Sequence, residues 1–394
     1  MTEKINIPQG YKDSPLGIIP EEWEVKRLGE VCTFLDSQRI PIKDADRGKM
    51  QGKYPYYGAS GIIDYVNDYI FDDDLILLGE DGANIIMRST PLAFLVNGKV
   101  WINNHAHVLK TKSGFSRYYV CNYLESLSYD KYNTGTAQPK LNREVCEKIP
   151  VLLPPEEEQN RISELLTTWD TAIEKQSELI EKLKLRKRAL MQQLLTGKKR
   201  LPGFSEEWKE VKLGDIFDER NEINRDDLPL LSITGDKGVI YQSESDKRDI
   251  SNDDKSKYKR ICPNDIGYNT MRMWQGRSAL SNIEGIVSPA YTIVTPHHNV
   301  DVRFMAMLIQ QPRIVYDFWT HSQGLVSDTL NCKYPDFCQV KVRIPSKEGQ
   351  TVIADMLYDF DKEINLANEK LASLQSQKRG LMQQLLTGKK RIMK

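Results

Sequence analysis

From Ile162 onward, apolar residues recur at alternating spacings of four and three: Ile162, Leu166, Trp169, Ile173, Ile180, Leu183, Leu190 and Leu194, interrupted at Gln176 and Lys187. A second stretch repeats the pattern at Ile353, Leu357, Phe360, Ile364, Ala367, Leu371, Leu374, Leu381 and Leu385, interrupted at Lys378. Such spacing keeps one stripe of an α-helix apolar along its length and is the seam of a coiled coil. Pro154-Pro155 followed by Glu156, Glu157 and Glu158 predicts a start, because carboxylates favour the positive end of the helix dipole. Thr196-Gly197 and Thr387-Gly388 predict the stops. A helix from about Glu156 to Thr196 would be ~60 Å long.

The two stretches are copies. Leu190 to Arg200 and Leu381 to Arg391 both read LMQQLLTGKKR, 191 positions apart. The same offset carries Leu153-Pro154 onto Ile344-Pro345, Gln159 onto Gln350 and Asp170 onto Asp361. Each half also opens alike, with Glu21-Glu22-Trp23 and Leu28-Gly29 echoed by Glu206-Glu207-Trp208 and Leu213-Gly214 at an offset of 185. A tandem duplication follows, in which like ends enclose unlike middles. Two helices of matched register in one chain are expected to pair with each other. An antiparallel pairing would throw the halves to opposite ends of a rod, and pairing between chains is the alternative.

The middles mix short strand-like runs, such as Asp74 to Gly79 and Gly285 to Val294, with brief helical stretches and Gly, Asn and Asp turns. They read as α+β. The fold expected is therefore α+β, with two globular domains of similar fold separated by two long antiparallel coiled-coil helices in a pseudo-twofold internal repeat. The boundaries run 1–20 for an N-terminal segment, 21–154 for the first domain, 155–200 for the central helix and linker, 201–345 for the second domain and 346–394 for the C-terminal helix. Asp74-Leu75 corresponds weakly to Asp265-Ile266, and Leu141-Asn142 to Leu330-Asn331.

Composition changes this picture little. Of 394 residues 40% are hydrophobic and 28% charged, which suits a folded protein and not a disordered one. No apolar run approaches the ~18 residues of a membrane span, and Met1 to Gly10 lacks the pattern of a secretory signal. Cysteines at 32, 121, 146, 262, 332 and 338 form no CxxC pair, so reduced structural thiols are expected. Nucleotide-binding, hydrolase and metalloprotease motifs are absent from the sequence, as is the Asn/Asp-Pro-Pro-aromatic segment of an amino-methyltransferase. His105 and His107 alternate as strand residues sharing a face, yet no third ligand is placed near them. No catalytic residue and no metal ligand is assigned.

What remains is side chains suited to base edges: Arg and Lys for guanine, Asn and Gln for adenine, aromatics for sugars and exposed bases. In the first middle the candidates are Tyr56, Tyr57, Asn84, Arg88, Asn104, His105, Thr136, Gln138 and Lys140. In the second they are Lys257, Lys259, Arg260, Asn269, Arg272, Trp274, Arg277 and Gln323.

The opening Gly17-Ile-Ile-Pro-Glu-Glu-Trp23 to Leu28-Gly29, the LPP-EEEQNRI entry to the first helix, LMQQLLTGKKR-LPGF between the halves and its second copy resemble the specificity subunits of type I restriction-modification enzymes, across essentially the whole chain. The resemblance implies two target-recognition domains, each reading one half of a split double-stranded DNA site. It implies antiparallel helices that grip two methyltransferase subunits, and a motor-nuclease subunit that joins the complex. S-adenosylmethionine, ATP and magnesium would serve those partners, with no cofactor on this chain and a cytoplasmic, nucleoid-associated location. A scaffold whose coiled coil only oligomerises, and a truncated or fused methyltransferase, stay open.

Charge at first argues against nucleic acid, since 55 basic side chains stand against 55 acidic ones. Residues 21–154 hold 16 basic against 18 acidic, and residues 206–345 hold 18 against 21. Readers this acidic are expected to select bases while their partners supply much of the phosphate grip.

Overall fold

The computed structural model describes residues 7–235, 237–245, 251–324 and 330–392. The chain divides into two compact units, Met1–Ser177 with Glu369–Lys394, and Glu178–Asn368. Each long helix therefore gives one half to each unit. The central helix spans Glu156–Leu194 and the C-terminal helix Lys347–Leu385, 39 residues apiece.

In the first unit, strand Glu24–Arg27 pairs antiparallel with Pro150–Leu153, closing the domain at its two ends. Its main sheet runs Cys32–Phe34, Ala106–Thr111, Leu75–Gly79, Ala93–Val96, antiparallel throughout. The predicted run 74–79 is the strand Leu75–Gly79, and it is buried along its whole length. Alternation explains the unbroken apolar run: Ile76 and Leu78 face the core that contains Trp23, Tyr119 and Leu152, while Leu75 and Leu77 face a smaller cluster with Phe71, Val100 and Val108. A second sheet, ordered Gly61–Val66, Gln51–Gly58, Lys99–Ile102, Phe71–Asp72, contains the parallel pairing of Trp101 with Tyr56.

The second unit repeats the plan. Lys209–Lys212 pairs with Lys341–Ile344, and the sheet runs Phe217–Glu219, Tyr291–Pro296, Ile266–Asn269, Ser278–Leu280. Each sheet places its strands in the same order of appearance, so Leu75–Gly79 and Ile266–Asn269 occupy the same place. The predicted run 285–294 is two strands, Gly285–Val287 and Tyr291–Pro296, because Pro289 has no N–H to continue a ladder. Two short pairs, Leu231–Ile233 with Val239–Tyr241 and Lys259–Ile261 with Gly285–Val287, stand where the first unit has its second sheet.

The helices run antiparallel within each unit. In the first, Lys378 Nζ lies 2.5 Å from Asp170 Oδ1, and in the second Lys187 Nζ lies 2.5 Å from Asp361 Oδ1. Along the seam Ile162, Leu166, Ile180, Leu183, Ile353 and Leu357 are buried. Trp169, Ile173, Leu190, Phe360, Ile364, Leu371, Leu374 and Leu381 are half-buried. Of the interruptions, Gln176 is itself buried, at the position Ala367 holds in the other copy, while Lys187 and Lys378 carry the interhelical ion pairs.

Both stop glycines are left-handed, Gly197 at φ 68° and Gly388 at φ 71°. They also make room: a Cβ on Gly197 would sit 3.3 Å from the Trp208 ring, and one on Gly388 would sit 2.5 Å from Pro20 and 3.3 Å from Trp23. Each tryptophan of the repeated Glu-Glu-Trp thus seats on the end of a helix. For Trp208 that is the helix preceding it in sequence, and for Trp23 it is the far C-terminal helix. Around Trp23 the end is locked by charge, since buried Glu158 accepts from the indole Nε1 at 3.0 Å and from Arg391 at 2.9 Å.

Candidate nucleic-acid interface

In the first unit three candidate segments, distant in sequence, meet at one end of the two central strands of the main sheet. Glu80 N donates to the His105 carbonyl at 2.8 Å, Leu141 N to the Glu80 carbonyl at 2.7 Å, and Gly82 N to the Pro139 carbonyl at 3.0 Å. The turns 80–88, 103–105 and 134–140 are thereby one surface. Beneath it lies an ionic cluster. Arg39 donates to Glu80 at 2.7 Å and to the Ala106 carbonyl at 2.8 Å, and Lys140 reaches Glu80 at 3.3 Å.

His107 ties the cluster to the 134–140 turn. Its ring is buried, with Nδ1 2.6 Å from Asp36 Oδ2 and Nε2 2.7 Å from the Leu141 carbonyl. Both partners accept only, so both nitrogens donate and the ring is an imidazolium. Burial alone would lower its pKa, but the hydrogen bond to Asp36 and the attraction of neighbouring groups outweigh this and raise it to about 10. Asp36 shows the reciprocal shift: burial pushes its carboxyl up, while His107 and the Val108 N–H hold it below the usual value.

His105 faces outward instead, its Nδ1 2.9 Å from Asp81 Oδ2. The residue lines an open cleft of about 350 Å³ together with residues 59–63, Asp81 and Asn103. The two alternating histidines therefore take separate partners rather than sharing a ligand set.

Geometry sorts the other candidates. Tyr56 is 1% exposed and its hydroxyl accepts from Ile42 N, so its side chain belongs to the core and not to the surface expected from the sequence. Tyr57 is half-buried against Phe94. Arg88 is committed inward, 2.8 Å from Glu125 and stacked over Tyr129. Asn84 closes its own turn through Thr90 and Ser89. Asn104, Thr136 and Gln138 are exposed, and none of their side chains bonds to another described residue.

In the second unit, Arg260 is held by Glu222 at 2.8 Å and Glu284 at 2.5 Å, and Lys259 lies 3.5 Å from Glu219. Lys259 lines a cleft of about 390 Å³ with Thr270, Thr292, Asn331 and Lys333, whereas Lys257 is exposed. Asn269 Oδ1 accepts from Met271 N and so braces the backbone, while Gln323 Nε2 donates to the Asp336 carboxylate. Arg272 and Arg277 stand at the ends of a tight turn that buries Met273, with Trp274 half-buried between them. That turn rests on the helix Pro312–His321, where a Cβ on Gly276 would come within 3.1 Å of Val315. The same helix exposes Tyr316 and Trp319, one turn apart with ring centroids at 5.4 Å. Sequence reasoning missed this pair; the signal present was the i, i+3 aromatic spacing.

A family model described as the type I restriction modification DNA specificity domain matches residues 20–185 and again 205–376. The type I restriction enzyme MjaVIII specificity subunit of Methanocaldococcus jannaschii is 23% identical over 421 residues, which cover 95% of this chain and 94% of that protein. The type I restriction enzyme EcoprrI specificity subunit of Escherichia coli is 26% identical over 166 residues, about 41% of this chain and 40% of that one. A Haemophilus influenzae protein provisionally named as a type I restriction enzyme specificity subunit is 32% identical over 145 residues; the match spans 37% of its length and 37% of this chain. In fold, the chain is similar to the crystal structure of a type I restriction-modification S subunit from M. genitalium, with a TM-score of 0.57 at 13% identity over 98% of both chains.

Proposed function

Because the chain belongs to the type I restriction modification DNA specificity family, we propose that it is the DNA-specificity subunit of a restriction-modification complex, its two domains each reading one half of a bipartite, asymmetric duplex target. The observation that carries this reading is one sheet plan used twice, with unlike loops leaving the ends of its central strands. A shared scaffold with different side chains at its tips gives two readers of different sequence. A scaffold that only oligomerised would have no use for the unlike loops.

The chain is the non-catalytic member of such a complex. Its pseudo-twofold helices present equivalent faces to two copies of one partner, and two methyltransferase subunits fit that symmetry. Leu179, Leu185 and Leu366 leave apolar surface exposed on the helices for a protein partner. S-adenosylmethionine belongs to those subunits, and ATP with magnesium to a motor-nuclease subunit. Helix length sets the spacer: four added residues give ~6 Å of rise, about two base pairs.

Binding to a library of duplexes, with and without the methyltransferase subunits, tests the proposal. The expected result is a split consensus selected by the complex. Selection of a single unbroken site, or of none, overturns it.

A further inference from the structure

We infer that the second domain reads guanine in its half-site through Arg272 and Arg277, on a platform formed by the helix Pro312–His321. This rests on the half-site reading above and adds the class of base. The first ground is electrostatic. Four arginines of this unit are neutralised internally: Arg220 by Asp265 at 2.7 Å, Arg225 by Asp227 at 2.7 Å, Arg260 by Glu222 at 2.8 Å and Arg303 by Asp301 at 2.7 Å. Arg272, Arg277 and Arg313 are exposed, and among the described residues no carboxylate pairs with them. In a domain with more acidic than basic side chains, three unpaired guanidinium groups on one turn and the helix beneath it form a local surface complementary to DNA. A guanidinium fork matches O6 and N7 of guanine bidentately.

The second ground is rigidity, which a base-reading arginine needs so that little freedom is lost on docking. Arg272 O accepts from Gln275 N at 2.9 Å, Asn269 N donates to Arg277 O at 3.0 Å, and Trp274 Nε1 donates to Met271 O at 3.0 Å. Gly276 supplies a left-handed φ of 73°, which disfavours any other residue, and a Cβ there would also crowd Val315 at 3.1 Å.

The third ground is the contrast with the first unit. There the 3-10 turn Asp130–Tyr132 stands, in chain order, where the second unit has Pro312–His321, and Arg39 and Arg88 are tied to Glu80 and Glu125. Two copies of one partner dock on features that the duplication repeats. A helix present in one unit is therefore assigned to what differs between the halves, the DNA sequence. Tyr316 and Trp319, 59% and 46% exposed, then pack on the sugar-phosphate edge beside the arginines.

The test uses the chain in complex with its methyltransferase subunits. Its probes are duplexes in which each guanine of the second domain's half-site, identified as the half that changes when residues 206–345 are exchanged, is replaced by 7-deazaguanine. The analogue pairs normally and lacks the N7 acceptor. Wild-type complex is expected to lose roughly tenfold or more in affinity at a contacted guanine, the scale of a bidentate contact. Arg272→Ala or Arg277→Ala should lose as much on natural DNA and lose nothing further with the analogue at its own position. Arg→Lys variants, which keep the charge, should behave as the Ala variants do toward the analogue; co-purification with the methyltransferase subunits verifies folding. Wild-type affinity in both variants, or an analogue penalty that persists in both, overturns the inference. A half-site without guanine does so too. If the wild-type complex prefers no split sequence, the half-site reading itself fails and this assignment with it.

Discussion

Lys187 on the central helix places its Nζ 2.5 and 2.6 Å from the two carboxylate oxygens of Asp361 on the C-terminal helix. Moving each residue by the repeat offset gives Lys378 and Asp170, which form the same pair. The breaks in the apolar pattern are thus the points where the duplicated helices fix each other's register. Lys187→Asp should destabilise the second unit by about 1 kcal/mol, the scale of a partly exposed pair, and Lys187→Asp with Asp361→Lys should restore most of the loss. Urea denaturation of the single and double variants measures this; equal loss in both would show that the pair does not set register.

Removal of Arg391 should weaken the first unit selectively. Glu158 is 5% exposed and would keep only the Trp23 indole as a partner among the contacts described, and a buried carboxylate deprived of its cation costs ~3 kcal/mol. In the second unit the repeat-equivalent of Glu158 is Gly349, packed against Phe204, so no charge is stranded there. Hydrogen exchange should show faster opening around Glu24–Arg27 and Pro150–Leu153 in Arg391→Ala, unchanged exchange around Lys209–Lys212, and recovery in Arg391→Ala with Glu158→Gln.

The His107 imidazolium makes the first unit sensitive to alkali. Its folded pKa of about 10 lies above that of free imidazole, so its contribution is complete below about pH 6.5 and is lost as pH rises through 10. Asp36 is shifted down, so its share is present above the ordinary carboxylate range and fades as pH falls through its folded value. Stability relative to His107→Ala should be about 2 kcal/mol near pH 6 and shrink toward pH 10. Thermal melts across that range check the sign; a difference that grew with pH would contradict it.

The isolated chain should bind duplex DNA weakly and with a shallow salt slope, since neither domain carries an excess of basic side chains. Titration at several salt concentrations, with and without the methyltransferase subunits, should give the steeper slope for the complex.

The helices were legible because period and repeat state them twice: the 4-3 spacing names the seam, and the second copy confirms where it stops. Short strands were harder, since Cys32–Phe34 or Leu231–Ile233 is too brief to show a period. For the site, residue type alone misled at Tyr56, whose hydroxyl looked available until its ring proved to fill a core beside Trp101. The meeting of Glu80 with His105 and Leu141 depends on strand order, which no local pattern records. Tyr316 and Trp319 are exposed because Ile314 and Phe318 take the buried face of their helix, a choice that the aromatic spacing alone does not reveal.

The central claim, two separate readers on one duplicated scaffold, is tested most directly by exchanging residues 206–345 for the corresponding domain of another family member and sequencing modified bases across the host genome. The account predicts a methylated consensus in which one half-site changes while the other half-site and the spacer stay as they were. A change in both half-sites would contradict it.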